Sequence, residues 1–244
     1  MVGIGKHHIT ASALRVALAL ALTASALAQD WTITPGKRAG PIRAGMSKTE
    51  IVRLFGAQNF RRVVWADEMG EFEMTALYPD DDRRLLLEFA QSGRLARVTV
   101  LAQPAGSCPS RWSLQNGVKI GTTLPELQKL NSAPFGLVGF GTDGSGSITD
   151  WRAGTLRRFK AEGVAIRMHP PTFPEGTASF KRQVRLLNRT YASSDWRSDS
   201  PLLRTLHPTV DEIAVTFLPK FTHHYVNEST SADILCPRSA VKSK

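Results

Sequence analysis

Two segments of this chain, 76 residues apart (123 − 47), spell the same helix start. In Met46-Ser47-Lys48-Thr49-Glu50-Ile51-Val52-Arg53-Leu54-Phe55-Gly56, Ser47 can accept from the Glu50 backbone N–H while Glu50 reaches back to the Ser47 N–H. That is a reciprocal capping box, with Met46 placed to staple onto Ile51. Ile51, Leu54 and Phe55 share one helical face, and Gly56 offers a left-handed helix end. In the second segment the hydroxyl cap is Thr123, its partner is Glu126, Pro125 suits the first turn, and Leu127 and Leu130 fall where Ile51 and Leu54 fell. A helix of about two to three turns does not hold itself in water, so each needs another element to cover its apolar face. The constant offset predicts an internal duplication.

Each helix leads into strand-forming segments. After Gly56 the β-rich pieces are residues 60–65, 71–78, 84–89 and 94–101, separated by turn residues. In the last of them, Leu95-Ala96-Arg97-Val98-Thr99-Val100-Leu101, apolar residues alternate as in a strand with one buried face. After Asn131 the corresponding pieces are 135–141, 147–151, 164–169 and 212–218. The second half carries an insertion over 170–210, including residues 181–187, which reads as loop plus a short helix or extra strands.

The amino-terminal end reads as a secretory signal over residues 1–28. Lys6 and Arg15 precede an apolar run from Val16 to Leu22, and Ala26-Leu27-Ala28 makes the small-x-small pattern of a cleavage site. The run is shorter than the ~20 apolar residues that cross a bilayer, so a periplasmic or secreted product without a membrane anchor is expected. Outside the cytosol an isolated cysteine pair is usually oxidised, and Cys108 and Cys236 are expected to form one disulfide. It would close 128 residues (236 − 108), for which loop entropy gives about 4–5 kcal/mol. The formal net charge is +10, falling to +8 once Lys6 and Arg15 leave with the signal. Basic pairs such as Arg61-Arg62, Arg83-Arg84 and Arg157-Arg158 are dispersed, which argues against a nucleic-acid groove and leaves weak binding of polyanions such as anionic lipid head groups or an acidic protein.

The stretch Gly45-Met46-Ser47-x-x-Glu50-Ile51-x-x-Leu54-Phe55-Gly56 resembles the helix-opening motif of the SmpA/OmlA outer-membrane assembly lipoproteins and of the β-lactamase inhibitory proteins, which place two such units in tandem. The resemblance covers residues 42–56 and, more loosely, 118–131. It implies a short helical element on an antiparallel sheet in each unit, with the exposed sheet face and hairpin loops binding a protein. An inhibitory hairpin of the first unit would map onto Tyr78-Pro79-Asp80-Asp81-Asp82. The lipid-bearing cysteine of the lipoproteins is missing, and the two cysteines do not read as one bridge per unit.

Chemistry-bearing patterns are sparse. Asp143-Gly144-Ser145-Gly146-Ser147 has the spacing of a metal-ion adhesion loop but sits between two short strands, where a glycine-rich turn is the better reading. No Gly-Lys-Ser/Thr, HExxH or Gly-x-Ser-x-Gly pattern occurs, and His169, His207, His223 and His224 lack metal-site spacing. No catalytic residue, cofactor or metal site is therefore assigned. An aromatic patch on the open sheet face is the expected physical basis for partner binding.

These readings converge on an α+β protein of two similar units, each a short helix pair or helix packed on an antiparallel β-sheet. The units span residues 31–105 and 106–220, with the insertion at 170–210 and a tail at 221–244. The function expected is a soluble exported, non-catalytic protein-binding or envelope-accessory role, with an unidentified protein partner in the cell envelope. An envelope-acting hydrolase or ligand-binding enzyme with a cleft between the units, and a polyanion-binding module, are the alternatives.

Overall fold

The computed structural model describes residues 30–67, 70–102, 110–140, 145–190, 195–218 and 225–226. The signal segment, the Cys108–Cys236 pair, His223-His224 and Asp143-Gly144 lie outside the described residues. The first half runs β1 (Thr32–Thr34), β2 (Arg38–Ala39), β3 (Ile42–Arg43), α1 (Lys48–Phe55), β4 (Phe60–Asp67), β5 (Gly70–Leu77), β6 (Leu85–Phe89) and β7 (Leu95–Leu101). The second half runs β8 (Ser113–Leu114), α2 (Leu124–Asn131), β9 (Gly136–Leu137), β10 (Ile148–Asp150), α3 (Arg158–Ala161), β11 (Val164–His169), α4 (Ala178–Thr190), β12 (Trp196–Arg197), α5 (Pro201–Leu206) and β13 (Thr209–Thr216). A last short strand, β14 (Tyr225–Val226), comes after β13. The architecture is α+β and rich in sheet.

Both short helices begin on complete capping boxes. Ser47 and Thr123 sit at nearly the same backbone angles (φ −77°, ψ 159° and φ −75°, ψ 160°). Each accepts from the N–H of the glutamate three residues on and donates its hydroxyl to that carboxylate. The helices end differently. Gly56 has a positive φ of 82° but an extended ψ of 136°, so the left-handed end expected there is not formed. The chain instead enters a 3-10 turn at Ala57–Asn59, and the Asn59 side-chain amide donates to the Phe55 carbonyl at 2.6 Å. α2 does end left-handed, on Ser132.

The main sheet has the strand order β11-β13-β7-β6-β5, with β4 and β14 both paired to β5. Its pairings are antiparallel, and β13 pairs with β7 from Glu212 opposite Leu101 to Thr216 opposite Arg97. The two halves therefore meet in a hydrogen-bonded ladder. A second link is the parallel pairing of β1 with β8. Period-2 alternation divides the main sheet into two buried faces. On one, Leu77, Leu87, Val98, Val100, Ile166, Ile213 and Val215 join Ile51 of α1, Leu124 and Leu127 of α2, and Leu203 and Leu206 of α5 in one core. On the other, Val63, Phe72, Met74, Ala76, Leu86 and Leu101 form a smaller cluster. Ile51 is the one fully buried residue of α1, so replacing it by Ala removes the anchor of that helix at a cost of about 2–5 kcal/mol.

Several local expectations are corrected. Of the strand expected over 135–141, the described residues form only Gly136–Leu137, and hydroxyls accept from flanking backbone groups: Phe135 N–H donates to Ser198 Oγ at 2.9 Å and Phe140 N–H to Thr190 Oγ1 at 3.2 Å. The closing strand begins at Thr209, not residue 212, and ends at Thr216. Residues 181–187 belong to the 13-residue α4, whose start is capped by Thr177 accepting from Phe180 N–H at 3.1 Å.

Candidate functional site

The connection from β5 to β6 contains the hairpin residues Tyr78, Asp80, Asp81 and Asp82. Tyr78 has a φ of 49°, in the left-handed region that a non-glycine residue enters at a cost of about 1–3 kcal/mol. Its surroundings hold it there. Its N–H donates to Asn59 O at 2.8 Å, and its ring meets Trp31 and Phe55 edge-on at 6.4 and 6.0 Å between centroids. The Arg83 guanidinium lies 3.9 Å from the ring centroid, a cation–π contact. Trp31 in turn meets Trp112 at 5.1 Å, and the Trp112 indole N–H donates to Arg83 O at 2.8 Å.

The three aspartates do not form an acidic patch. Asp80 accepts a two-pronged bond from Arg61 at 3.0 and 2.6 Å. Asp81 accepts from the Arg83 side chain and from its N–H at 2.8 Å, and Asp82 pairs with Arg111 at 2.6 Å. The Asp81 bond is the main reason the Arg83 guanidinium is held above its ordinary range, outweighing a partial loss of hydration. Three acid–base pairs around an aromatic stack leave a charge-balanced, shaped surface. Beside it lies a cleft of about 350 Å³ lined by Gln58, Phe60, Arg61, Tyr78, Pro79 and Asp80, among others. Such a cleft suits a partner segment offering an aromatic or planar group together with complementary hydrogen bonds.

The described aromatic contacts gather at this end of the sheet and, in the second half, in the Phe135–Trp151–Phe159 cluster, which belongs to the helix-side core. On the sheet face away from the helices, Phe72 lies in the smaller apolar cluster. The same face also carries a charged row. Glu88 lies 3.7 Å from Arg97, Arg97 lies 3.8 Å from Glu212, and Arg167 reaches Glu212 at 3.1 Å and Asp211 at 3.2 Å. Burial works against the Arg167 charge, but Glu212 and Asp211 outweigh it and raise its proton affinity.

The glycine-serine segment is held against β11. Ser147 forms an antiparallel bridge with Arg167, and Gly146 N–H donates to Val138 O at 3.1 Å. A Cβ on Gly146 would stand 1.9 Å from Met168 O, which explains the glycine. His169 Nδ1 lies 2.6 Å from Pro170 O, and His207 ends α5 in a left-handed conformation. Among the described residues no three His, Cys, Asp or Glu side chains converge to hold a metal, and no helix is long and apolar enough to cross a membrane.

Sequence reading missed Asn131, Thr190 and Ser198, which are fully buried polar residues. Asn131 donates to Ala133 O and Trp151 O at 2.8 and 3.2 Å and accepts from Leu156 N–H at 3.0 Å, tying the end of α2 to the loop before α3. It also missed Arg61 and Arg111 as hairpin partners. Their separations of 19 and 29 residues carry no local signal.

No family model and no curated protein sequence matches the chain. A solved structure, that of the uncharacterized protein yfeY from Escherichia coli, aligns over 76% of this chain and 99% of its own at 15% identity, with a TM-score of 0.37. The overlap is too loose to carry fold or function from one chain to the other.

Proposed function

We propose that this chain is an exported, non-catalytic binding protein of the cell envelope, built from two similar units and gripping a protein partner at the 78–83 hairpin and its cleft. The two-unit reading is supported by matched features beyond the capping boxes. Ser47 bridges Arg94 and Thr123 bridges Thr209, so each cap leans on the start of its own half's closing strand. The pairing of β6 with β7 slips between Glu88 and Phe89, and that of β11 with β13 slips between Arg167 and Met168, in both cases one pair after the apolar positions Leu87 and Ile166.

The residue skipped by each slip is Ala96 on β7 and Asp211 on β13, and the two have reciprocal partners. Ala102 N–H donates to Asp211 O at 2.6 Å, and Phe217 N–H donates to Ala96 O at 2.7 Å. An approximate two-fold axis between Thr99 and Ala214, which face each other, would relate the halves. It would also exchange the Glu88–Arg97 and Arg167–Glu212 pairs with their charges reversed. This arrangement is in keeping with the tandem inhibitory-protein architecture that the Ser47 motif resembles.

The observation that carries the binding role is the rigid hairpin itself. Tyr78 is held in a costly backbone conformation, while Arg61 and Asp80 remain close to half exposed at 48% and 41% of their side chains. Rigid aromatic and arginine side chains beside a cleft are what protein interfaces concentrate their affinity on. The test is capture of a partner from periplasmic extract, followed by titration calorimetry of that partner against variants. Asp80→Arg should weaken binding by tenfold or more, and the Arg61→Asp/Asp80→Arg exchange should not restore it, because the partner reads the original charge order. Unchanged affinity in both variants refutes the hairpin as the site.

A further inference from the structure

The insertion in the second half carries a feature that the hairpin reading does not use. α4 presents Lys181, Arg182, Arg185 and Arg189, and the only acid in residues 170–190 is Glu175. Lys181, Arg185 and Arg189 recur every four residues and so line one side of the helix, with Arg182 adjacent. Elsewhere arginines commonly face a carboxylate, as Arg61, Arg83, Arg111 and Arg167 do. None of the four α4 cations, nor Arg204 on the neighbouring α5, forms an ion pair among the described residues. The helix is nonetheless firmly seated. Thr190 at its end is fully buried, its hydroxyl bonded to Phe140 N–H, and Leu186 and Leu187 pack on the main core.

The apolar groups beside these cations are not all covered. Phe173, at the mouth of a groove of about 210 Å³ shared with Arg182, Leu186 and His207, is 40% exposed, and Phe180 is half-buried. With its own apolar side seated on the core, α4 offers a row of cations flanked by an exposed aromatic, which suits peripheral docking with the cations at head-group level and the Phe173 ring inserted. An acidic protein or a nucleic acid would use the cations but gain less from the exposed Phe173 ring. We propose that α4, with Phe173, docks the protein peripherally on an anionic phospholipid surface, independently of the hairpin.

The test is sedimentation of the purified full chain with phosphatidylcholine vesicles containing about one-third phosphatidylglycerol, against vesicles of phosphatidylcholine alone. Binding to the anionic vesicles only, abolished at about 0.5 M salt, is expected. With each cation contributing about fivefold to partitioning, Arg185→Glu/Arg189→Glu should weaken it by more than a hundredfold. Arg185→Gln/Arg189→Gln should weaken it by about 25-fold. Phe173→Ser should weaken it at unchanged salt dependence. Lys48→Glu/Arg53→Glu, an equal charge change on α1, and Asp80→Arg in the hairpin should bind as the wild type does. Circular dichroism melts establish that each variant is folded.

Equal binding to the neutral vesicles, an equal loss in the α1 variant, or retention by the folded glutamine variant overturns the proposal. So does binding to polyglutamate without binding to vesicles, which would point to an acidic protein.

Discussion

Replacing Ser47 or Thr123 by Ala removes one hydroxyl from each helix start and asks whether the two starts are energetically equivalent. Each hydroxyl does two things: it accepts from the N–H of the third helical residue, at 3.3 Å for Ser47 and 3.4 Å for Thr123, and it donates to the glutamate carboxylate at 2.7 and 2.8 Å. Loss of such a cap costs about 0.5–2 kcal/mol, since an N–H at the helix start is left to water. Because the geometries agree to within about 0.1 Å, the two losses should agree to within about 0.5 kcal/mol. A loss of ~1 kcal/mol corresponds to about 2–4 °C in melting temperature for a chain of this size. The sites share no partner, so the double variant should show the sum. The assay is urea unfolding followed by tryptophan fluorescence. An unchanged midpoint for Thr123→Ala beside a lowered one for Ser47→Ala would refute the equivalence of the two helix starts.

The same boxes give a pH dependence. The backbone bond from Ser47 holds Glu50 below the ordinary carboxyl range, and that from Thr123 does the same for Glu126. A pKa lowered on folding means stability present above the unfolded value and lost as pH falls through the folded one, so the Glu50→Gln/Glu126→Gln variant should lose less stability than wild type between about pH 5 and pH 3. A parallel decline of both proteins in acid melts would contradict this. Gly154→Ala should be strongly destabilising, because the added Cβ would lie about 2 Å from the Asn131 side chain, and Asn131→Ala should cost about 2–4 kcal/mol through unpaired buried groups. The double variant should cost less than the sum, and strict additivity in the melts would show that the two do not touch. Asp80→Ala in the hairpin should change stability by less than about 1 kcal/mol, as its ion pair is partly solvated; a larger loss would mean that the pair is structural.

The helix starts at Ser47 and Thr123 were readable from sequence because a capping box closes within four residues, and the chain alone decides which N–H a hydroxyl can reach. The alternation of β7 was readable from Arg97 to Leu101 for the same reason, since neighbouring side chains on a strand face opposite ways, but the single buried face expected of it was not: Thr99 and Leu101 are buried on the other side, and the register slips at Ala96. Other features depend on residues far apart in the chain. Three aspartates in a row look like an acidic loop until Arg61 arrives from β4 and Arg111 from the segment before β8 and they balance two of them. Asn131, Thr190 and Ser198 look like ordinary polar residues until folding buries them against backbone groups 20 to 63 residues away. The ladder from β7 to β13, which joins the halves, depends on pairing across a separation of more than 110 residues, and its register is set by which faces the apolar side chains of both strands must bury together. Sequence periodicity shows which side of each strand is apolar, but only tertiary packing decides which strand lies beside it.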